Sequence, residues 1–318
     1  MKYAIIIPCF NEAPRLNITL KSVFDAIAGR QDVEVILMDN GSTDGSQEYA
    51  KTFGVKVYDV PDVKISTLRN IGARHSHAEY LLFLDSDVKV PSDWLTTLDD
   101  YTDSNNTINS ADVIGFVDNV PGDAPWFAKI WGLRASAKRS KIMLVDSLPG
   151  RNIGLHRNWF EKVGGFNEAL ITGEDKDFVL RLKKAGAMVL SDPRLNMLHL
   201  GYERTFIEWI KKEYWRQHSH ISIIKSQGLS VRLLRFPVIS IGHLVLLLGI
   251  IYFVSFSSPM LAMGTLFISL LPSFVISVKN RASRRPYSRL FQFTLLYWLR
   301  FHIAGWSVLL ELVQMQKS

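Results

Sequence analysis

The chain has 318 residues with a net charge of +7, and 47% of its residues are hydrophobic. This length excludes a single small module and accommodates one α/β domain of roughly 200 to 250 residues together with a further region. Cys9 is the only cysteine. The composition therefore excludes an intrachain disulfide and a cysteine-rich zinc site, and it is compatible with a reducing compartment.

The positive charge lies in the C-terminal third of the chain. Residues 201–318 contain 14 basic and 4 acidic residues, whereas residues 1–200 have a small acidic excess. A basic region can bind nucleic acid or an anionic membrane surface. We find no motif typical of a nucleic-acid-binding module, and the basic residues adjoin long apolar segments, so membrane lipids are the expected partner.

Up to about residue 200, short apolar segments alternate with polar segments of helical periodicity. This pattern predicts an α/β fold in which helices flank a mostly parallel sheet. Ligands of such sheets bind beyond the carboxyl ends of the strands, so the residues after each strand are the candidate site residues. The predicted strands are residues 3–7, 33–38, 55–60, 80–84 and 113–117.

Acidic and amide side chains follow the first two predicted strands. Asn11 and Glu12 follow the first strand, and Asp39 follows the second. Such side chains can hydrogen-bond the base and ribose of a nucleotide. Residues 40–46 alone could equally form a turn that caps the next helix, and the two interpretations are compatible.

Two carboxylates follow the fourth predicted strand. Asp85 and Asp87 flank Ser86, so both carboxylates can converge on one Mg²⁺ or Mn²⁺ ion that also binds the phosphates of a nucleotide diphosphate. An isolated pair of this kind is more often a turn with a capping aspartate. The other segments decide between these interpretations.

Five segments together resemble the family 2 glycosyltransferases in order and spacing, over roughly residues 1–225. The resemblance implies the GT-A fold, an inverting transfer from a nucleotide-sugar donor, and a divalent cofactor, Mn²⁺ or Mg²⁺. The five segments are residues 7–12, 39–46, 68–73, 85–87 and 173–178.

The resemblance also assigns roles to individual residues. His199 resembles a position that supplies a metal ligand in many GT-A enzymes, although a histidine between apolar residues is more often a packed core residue. Residues 150–154 resemble a segment near the donor sugar. The implied metal ligands are Asp87, Asp85 and His199. The implied nucleotide-binding residues are Pro8, Asn11, Glu12, Asp39, Arg69, Asp85 and Ser86.

An inverting transfer needs a carboxylate that takes the proton of the acceptor hydroxyl. By resemblance, Asp175 is the base, and Glu174 binds the acceptor or supports the loop. The alternative is that Glu174, Asp175 and Asp177 are acidic residues of the first turn of a helix, where the helix dipole favours them.

Two segments near the C-terminus, residues 236–256 and 259–278, are long enough to cross a bilayer and contain no charged residue. Residues 290–310 form a third candidate, but Arg300 and His302 lie near its middle, so it either spans with these groups facing protein or lies partly in the interface. We therefore expect two or three transmembrane helices.

The charge pattern orients the two apolar spans. Basic residues precede the first span and follow the second, whereas the link at Ser257 and Ser258 is uncharged. By the positive-inside rule the basic flanks are cytoplasmic and the link is external. The N-terminal apolar run is too short for a signal peptide, which agrees with a cytoplasmic catalytic domain on the inner membrane. The basic residues are Lys211, Lys212, Arg216, Lys225, Arg232 and Arg235 before the first span, and Lys279, Arg281, Arg284, Arg285 and Arg289 after the second.

These patterns predict three regions. Residues 1–203 form the catalytic domain, residues 204–235 form an amphipathic interfacial region, and residues 236–318 form the membrane region. The interfacial region could also be a helix that packs on its own domain.

The expected function is the transfer of a sugar to a lipid-linked glycan. Direct transfer to a polyprenyl phosphate is the close alternative, because that acceptor is already an anion and needs no base. A membrane sensor or scaffold that binds nucleotide without turnover is a third alternative, which predicts the loss of an acidic site residue. Asp39, Asp85, Asp87 and Asp175 are all present.

Overall fold

The computed structural model describes residues 1–102, 111–116, 119–136, 141–280 and 287–315. These residues form the following strands and α-helices. The strands are β1 (Tyr3–Cys9), β2 (Val33–Asp39), β3 (Lys56–Asp59), β4 (Tyr80–Leu84), β5 (Val88–Lys89), β6 (Val113–Gly115), β7 (Met143–Leu144), β8 (Asn152–His156), β9 (Val189–Ser191) and β10 (Leu198–His199). The helices are α1 (Ala13–Ile27), α2 (Ser46–Thr52), α3 (Ile65–His75), α4 (Trp94–Thr102), α5 (Trp126–Ser136), α6 (Arg157–Lys162), α7 (Glu174–Lys184), α8 (Phe206–Arg216), α9 (His220–Gln227), α10 (Val231–Ser255), α11 (Pro259–Asn280) and α12 (Tyr287–Met315).

The chain divides into two compact units. Unit 1 contains the strands and the predicted nucleotide-binding segments, and unit 2 contains the long apolar helices. Unit 1 comprises Met1–Gly122, Arg139–Ala169 and Glu174–Tyr202. Unit 2 comprises Asp123–Lys138, Leu170–Gly173 and Glu203–Ser318.

The main sheet of unit 1 has the strand order β3-β2-β1-β4-β8-β6-β9-β7. The first four strands in this order are mutually parallel, whereas β8 runs antiparallel to both of its neighbours. The predicted mostly parallel sheet flanked by helices is confirmed. The sequence pattern did not reveal its two antiparallel strands, β8 within the sheet and β7, which pairs with β9 at one edge. In the strand predicted at residues 113–117, the structure has β6 at Val113–Gly115, and Val117 lies outside the described residues.

Close helix packing explains how unit 1 positions its site. Strand β1 is buried along its whole length, as expected for a strand covered on both faces. A Cβ at Gly72 would lie 2.5 Å from Cγ2 of Ile6, so α3 sits directly on the sheet. The ring of Phe178 in α7 stacks on Phe166 at 4.2 Å and meets the edge of Phe83 in β4. These contacts fix the two helices that carry Arg69 and Glu174.

Unit 2 contains three helices that are long and apolar enough to cross a membrane, among the described residues. Helices α10 and α11 match the two predicted spans. In α12, Arg300 forms an ion pair with the buried Glu213 of α8 at 3.3 Å and lies over the rings of Trp131 and Phe236. The charge within the third segment therefore faces protein.

The predicted interfacial region, residues 204–235, contains helices α8 and α9 and the first turn of α10 in the structure. A capping box between Thr205 and Glu208 starts α8. Helix α8 buries Trp209 on one side, whereas Ile207 and Trp215 are exposed. One face of α8 therefore packs within unit 2, and its remaining apolar side chains are exposed.

Candidate active site

The carboxyl ends of β1, β2 and β4 bring the predicted site residues to one edge of the sheet. Cys9 pairs with Asp39 in the parallel register of β1 and β2, and Pro8 pairs with Met38. Strand β4 lies on the other side of β1 and leads directly into Asp85. Polar side chains that leave neighbouring parallel strands at the same edge can contact a common ligand.

The loops after β1 and β2 hold each other in place. The backbone N–H of Asn11, a residue with φ of 53°, donates to Oγ of Ser42. Its side-chain oxygen in turn accepts from the backbone N–H of Thr43 at 2.8 Å. Glu12 forms an ion pair with Arg15 and its backbone N–H donates to Ser46. Asn11 therefore organises the loops, and Glu12 presents a carboxylate at the start of α1.

Asp39 is fully buried at the end of β2. Its Oδ2 atom accepts hydrogen bonds from the backbone N–H of Ser42 at 2.7 Å and from the side-chain amide of Gln47 at 2.8 Å. Its Oδ1 atom is buried and has no hydrogen-bond partner among the described residues. Buried acceptors are normally satisfied, so this oxygen is a candidate for binding a donor group of a ligand.

Arg69 bridges the Asp85 loop and the start of α7. Its guanidinium donates to Oδ1 of Asp85 and to Oε1 of Glu174, each at 2.8 Å. The Arg69 side chain is only 2% exposed. Burial opposes the charged form of Arg69, but the neighbouring carboxylates outweigh this and raise its pKa. Arg69 is therefore a cation held at the centre of an acidic cluster.

The two acidic residues at the start of α7 have different environments. Burial, followed by the neighbouring charge of Asp175, raises the pKa of the Glu174 carboxyl, while Arg69 opposes this shift. Asp175 accepts hydrogen bonds from the backbone N–H groups of Gly150 at 3.1 Å and Lys176 at 2.7 Å. Asp177 is fully buried and pairs with Arg181, which is a structural role.

A short antiparallel pairing brings His199 to Asp87. Strand β10 pairs with β5, so that His199 lies opposite Val88. Nε2 of His199 is 3.3 Å from Oδ2 of Asp87. Ser86 between the two aspartates is buried, and its carbonyl accepts from Thr19 of α1 at 2.8 Å. The loop is thus anchored while Asp85 and Asp87 point to different partners.

The carboxylate of Asp87 and the imidazole of His199 form a donor pair that a divalent cation could use. Among the residues that the structure describes, no three His, Cys, Asp or Glu side chains form a metal-binding group. Mg²⁺ and Mn²⁺ sites commonly use one or two protein ligands and take water and substrate phosphates for the rest. The residues present fit such an ion.

Three further residues shape the site. The side-chain amide of Gln47 donates a hydrogen bond to Asp39, a contact that no sequence motif indicated. A Cβ at Gly150 would lie 2.8 Å from Nη1 of Arg69. A Cβ at Gly201 would overlap the carboxylate of Asp87. Gly150 lies in the segment 150–154 that resembles the donor-sugar segment of the family, and Gly201 lies two residues after His199.

Residues 4–164 match the model of the family described as Glycosyl transferase family 2. The chain is 28% identical over 244 residues to Glycosyltransferase AglE of Haloferax volcanii, an alignment that covers 72% of this chain and 76% of that protein. Two further curated relatives are matched over about a third of their length.

Solved structures with the same fold include two complexes. The mannosyltransferase PcManGT from Pyrobaculum calidifontis, in complex with GDP-Man and Mn²⁺, has a TM-score of 0.62 at 15% identity, with 96% of this chain and 86% of that chain covered. TarS 1-349 of S. aureus, in complex with UDP-GlcNAc, has a TM-score of 0.53 at 16% identity, with 70% and 67% covered. At these identities, the similarity shows the fold.

The packing of Gly150 on Arg69 generates a stability prediction. Gly150→Ala places a methyl group against a guanidinium that two carboxylates hold in place. We therefore expect the free energy of unfolding to fall by roughly 1 to 3 kcal/mol. Thermal unfolding of the detergent-solubilised chain measures the change. Gly122→Ala is the matched control, because no atom lies within 4 Å of a Cβ at that position. Equal unfolding midpoints for the two variants would contradict the prediction.

Proposed function

The chain belongs to glycosyl transferase family 2, and from this premise we propose that it transfers a sugar, with inversion, from a nucleotide-sugar to a lipid-linked glycan at the cytoplasmic face of a membrane. The observation that carries the proposal is the Arg69 bridge, because it joins the Asp85 loop to Glu174. A donor-binding loop and a pair of acidic residues that can serve an acceptor are thereby held in one site.

The donor side of the proposal rests on the strand ends. Asp39 offers a buried acceptor for a base N–H, and Pro8, Asn11 and Glu12 shape the loop beside it. The PcManGT and TarS complexes contain GDP-Man and UDP-GlcNAc, which supports a nucleotide-sugar donor.

The acceptor side rests on Asp175. Two backbone N–H groups hold its carboxylate, and a carboxylate has about four acceptor positions, so positions remain for the hydroxyl of a sugar acceptor. We assign Asp175 the removal of the hydroxyl proton during attack on the anomeric carbon. Glu174 positions the loop through Arg69.

Asp87 and His199 are the proposed ligands of a divalent cation, Mn²⁺ or Mg²⁺, with Asp85 close by on Arg69. When bound, the ion would supply positive charge that stabilises the leaving diphosphate. The acidic residues of the site would otherwise repel that diphosphate, because Arg69 is already paired with two carboxylates. Mn²⁺ in the PcManGT complex supports this assignment.

Membrane attachment follows from unit 2. Exposed apolar side chains on α10 and α11 suit contact with lipid tails, and exposed Ile207 and Trp215 of α8 suit the interface. By the positive-inside rule, the basic flanks support a cytoplasmic location of unit 1. Of these flanking residues, Arg281, Arg284 and Arg285 lie outside the described part of the chain.

The role of Asp175 as the base can be tested by substitution. Asp175→Asn keeps the size of the side chain but cannot take a proton, so we expect nucleotide release with acceptor to fall by roughly 10²- to 10⁴-fold. Donor affinity, measured by calorimetry, should be unchanged. Asp39→Ala is the opposite control and should weaken donor binding, whereas the surface variant Glu161→Gln should change neither quantity.

Two results would contradict this assignment. Turnover near that of the wild type would indicate a phosphate acceptor, which needs no base, or proton transfer to Glu174. Loss of donor binding in Asp175→Asn would indicate that the residue only supports the structure of the site.

The metal assignment is tested on Asp87. Asp87→Ala removes one of the two proposed ligands, so we expect Mn²⁺ binding to weaken by at least about tenfold, measured directly by electron paramagnetic resonance. Wild-type activity should be lost in EDTA and recovered when Mn²⁺ is added. The exposed Asp93→Ala is the control. Full activity in EDTA would exclude the metal role.

Cysteine labelling tests the orientation. In a Cys9→Ser background, an impermeant maleimide added to intact cells should label Ser258→Cys, in the link between α10 and α11, and should label Lys225→Cys only after lysis. The reverse labelling pattern would place unit 1 on the opposite side of the membrane.

A further inference from the structure

The C-terminal end of α12 is fixed to the start of α9, a helix of the same unit. The buried carboxylate of Glu311 accepts hydrogen bonds from the backbone N–H groups of Ile221 at 3.1 Å and Ser222 at 2.9 Å. It also accepts from the hydroxyl of Ser222 at 2.8 Å. The N–H groups at a helix start favour a carboxylate, so this contact is well matched in charge. Residue 311 is therefore held beside α9.

The start of α9 lies in turn beside the start of the first apolar span. The ring of His220, the first residue of α9, packs on Phe236 of α10 with 4.8 Å between the ring centroids. Phe236 also packs on Phe301, in the middle of α12, at 5.4 Å. The exposed Arg235 directly precedes Phe236 and is the last basic residue before the apolar span. The middle and the end of α12 therefore both lie near the first residues of this span.

The chain ties the beginning of α12 to the same side of the membrane. Helix α11 ends at Asn280 and α12 begins at Tyr287. The six residues between them can reach about 25 Å at most, less than the roughly 30 Å of a hydrocarbon core. They include three arginines, for which a path through lipid is unfavourable. Because α10 and α11 would cross in succession, α11 ends on the side where α10 begins. Both ends of α12 therefore lie on that side.

These contacts disagree with a third crossing. In a helix that crosses the bilayer, residues 301 and 311 would differ in depth by about 15 Å. Here both are linked through short contacts to Phe236. Arg300 gives the same indication, because its partner Glu213 lies in α8, a helix that exposes Lys211 and Trp215 to its surroundings. Such a helix suits the membrane surface and not its centre.

One face of α12 is apolar and exposed. Trp306, Leu310 and Val313 follow one another at helical spacing and are 55%, 43% and 48% exposed. A neighbouring face packs on α10, where a Cβ at Gly305 would lie 2.6 Å from the carbonyl oxygen of Ser240. A helix that lies in the interface buries its apolar face about 5 to 10 Å into the boundary between headgroups and acyl chains. Tryptophan is enriched at this depth.

We propose that α12 does not cross the membrane but lies along its cytoplasmic surface, where the face formed by Trp306, Leu310 and Val313 contacts the lipids of that leaflet. The inference rests on the two spans and the orientation in the proposed function. The chain then crosses the membrane twice and its C-terminal end is cytoplasmic. Length and composition alone would make α12 a third span.

Spin labels measure the depth of this face. The full chain in a Cys9→Ser background is reconstituted in vesicles of phosphatidylcholine and phosphatidylglycerol. Single labels at Trp306→Cys and Val313→Cys report depth through their accessibility to oxygen and to a polar nickel chelate. We expect the two depths to agree within about 5 Å, whereas a spanning helix changes depth by about 10 Å over seven residues. Val245→Cys and Tyr252→Cys, exposed in α10 with the same separation, are the matched control and should differ by about 10 Å.

Labelling of cells gives a second measurement that does not depend on reconstitution. In the same Cys9→Ser background, an impermeant maleimide should label Gln314→Cys only after lysis, as expected for Lys225→Cys. Labelling of Gln314→Cys in intact cells, together with Ser258→Cys, would show that α12 crosses the membrane and would overturn the proposal.

The depth measurements separate this proposal from the one on which it rests. A change of about 10 Å between the two α12 labels would overturn the position of α12 and leave the spans of α10 and α11 intact. No change between the two α10 labels would contradict the membrane attachment itself. Low accessibility of both α12 labels to both reagents would show that a second copy of the chain covers the face, and it would overturn the contact with lipid.

Discussion

The site of unit 1 depends on one buried cation. The guanidinium of Arg69 is removed from water, which is unfavourable unless its charge and its donors are paired. Asp85 and Glu174 supply that pairing from two segments that are distant in the sequence. The planar guanidinium can bond two carboxylates in fixed directions, whereas a lysine would offer a single point of charge. The Asp85 loop and the start of α7 therefore keep their positions only while Arg69 keeps its own.

Two glycines make that position accessible. Gly72 allows α3 to approach β1, and Gly150 leaves room for the guanidinium itself. The backbone N–H of Gly150 also donates to Asp175. Gly150 thus contacts both Arg69 and Asp175, the proposed base. A displacement of Gly150 would therefore affect both side chains. These contacts explain why a methyl group at residue 150 is expected to disturb more than local space.

Much of unit 1 could be predicted from the sequence, because its central strands are continuous buried segments whose polar residues follow at the carboxyl ends. The carboxyl ends of parallel strands lie at the same end of the sheet, so residues that follow them, such as Asp39 and Asp85, lie near one another. The partnership of Asp87 with His199 was different. It depends on the two-residue strands β5 and β10, which are too short to show a periodicity, and only the family resemblance pointed to His199. Gln47 was missed because its role depends on the direction of one side chain across a turn.

In unit 2, the sequence pattern alone does not reveal how the charged residue Arg300 is accommodated within the apolar helix α12. Arg300 looks unfavourable within an apolar segment, yet its partner Glu213 and the ring of Trp131 come from distant parts of the chain. Glu213 also accepts from Trp131 and Arg216, so the buried charge is satisfied by several donors. Half of the apolar stretch of α12 is buried, whereas the buried share is 17% in α10 and 22% in α11. Most of the exposed apolar surface therefore belongs to α10 and α11, whereas much of the surface of α12 is buried against other residues of unit 2. A charge in such a helix marks the face that packs on its own unit, and the charge-free faces of α10 and α11 mark the surface available to the bilayer.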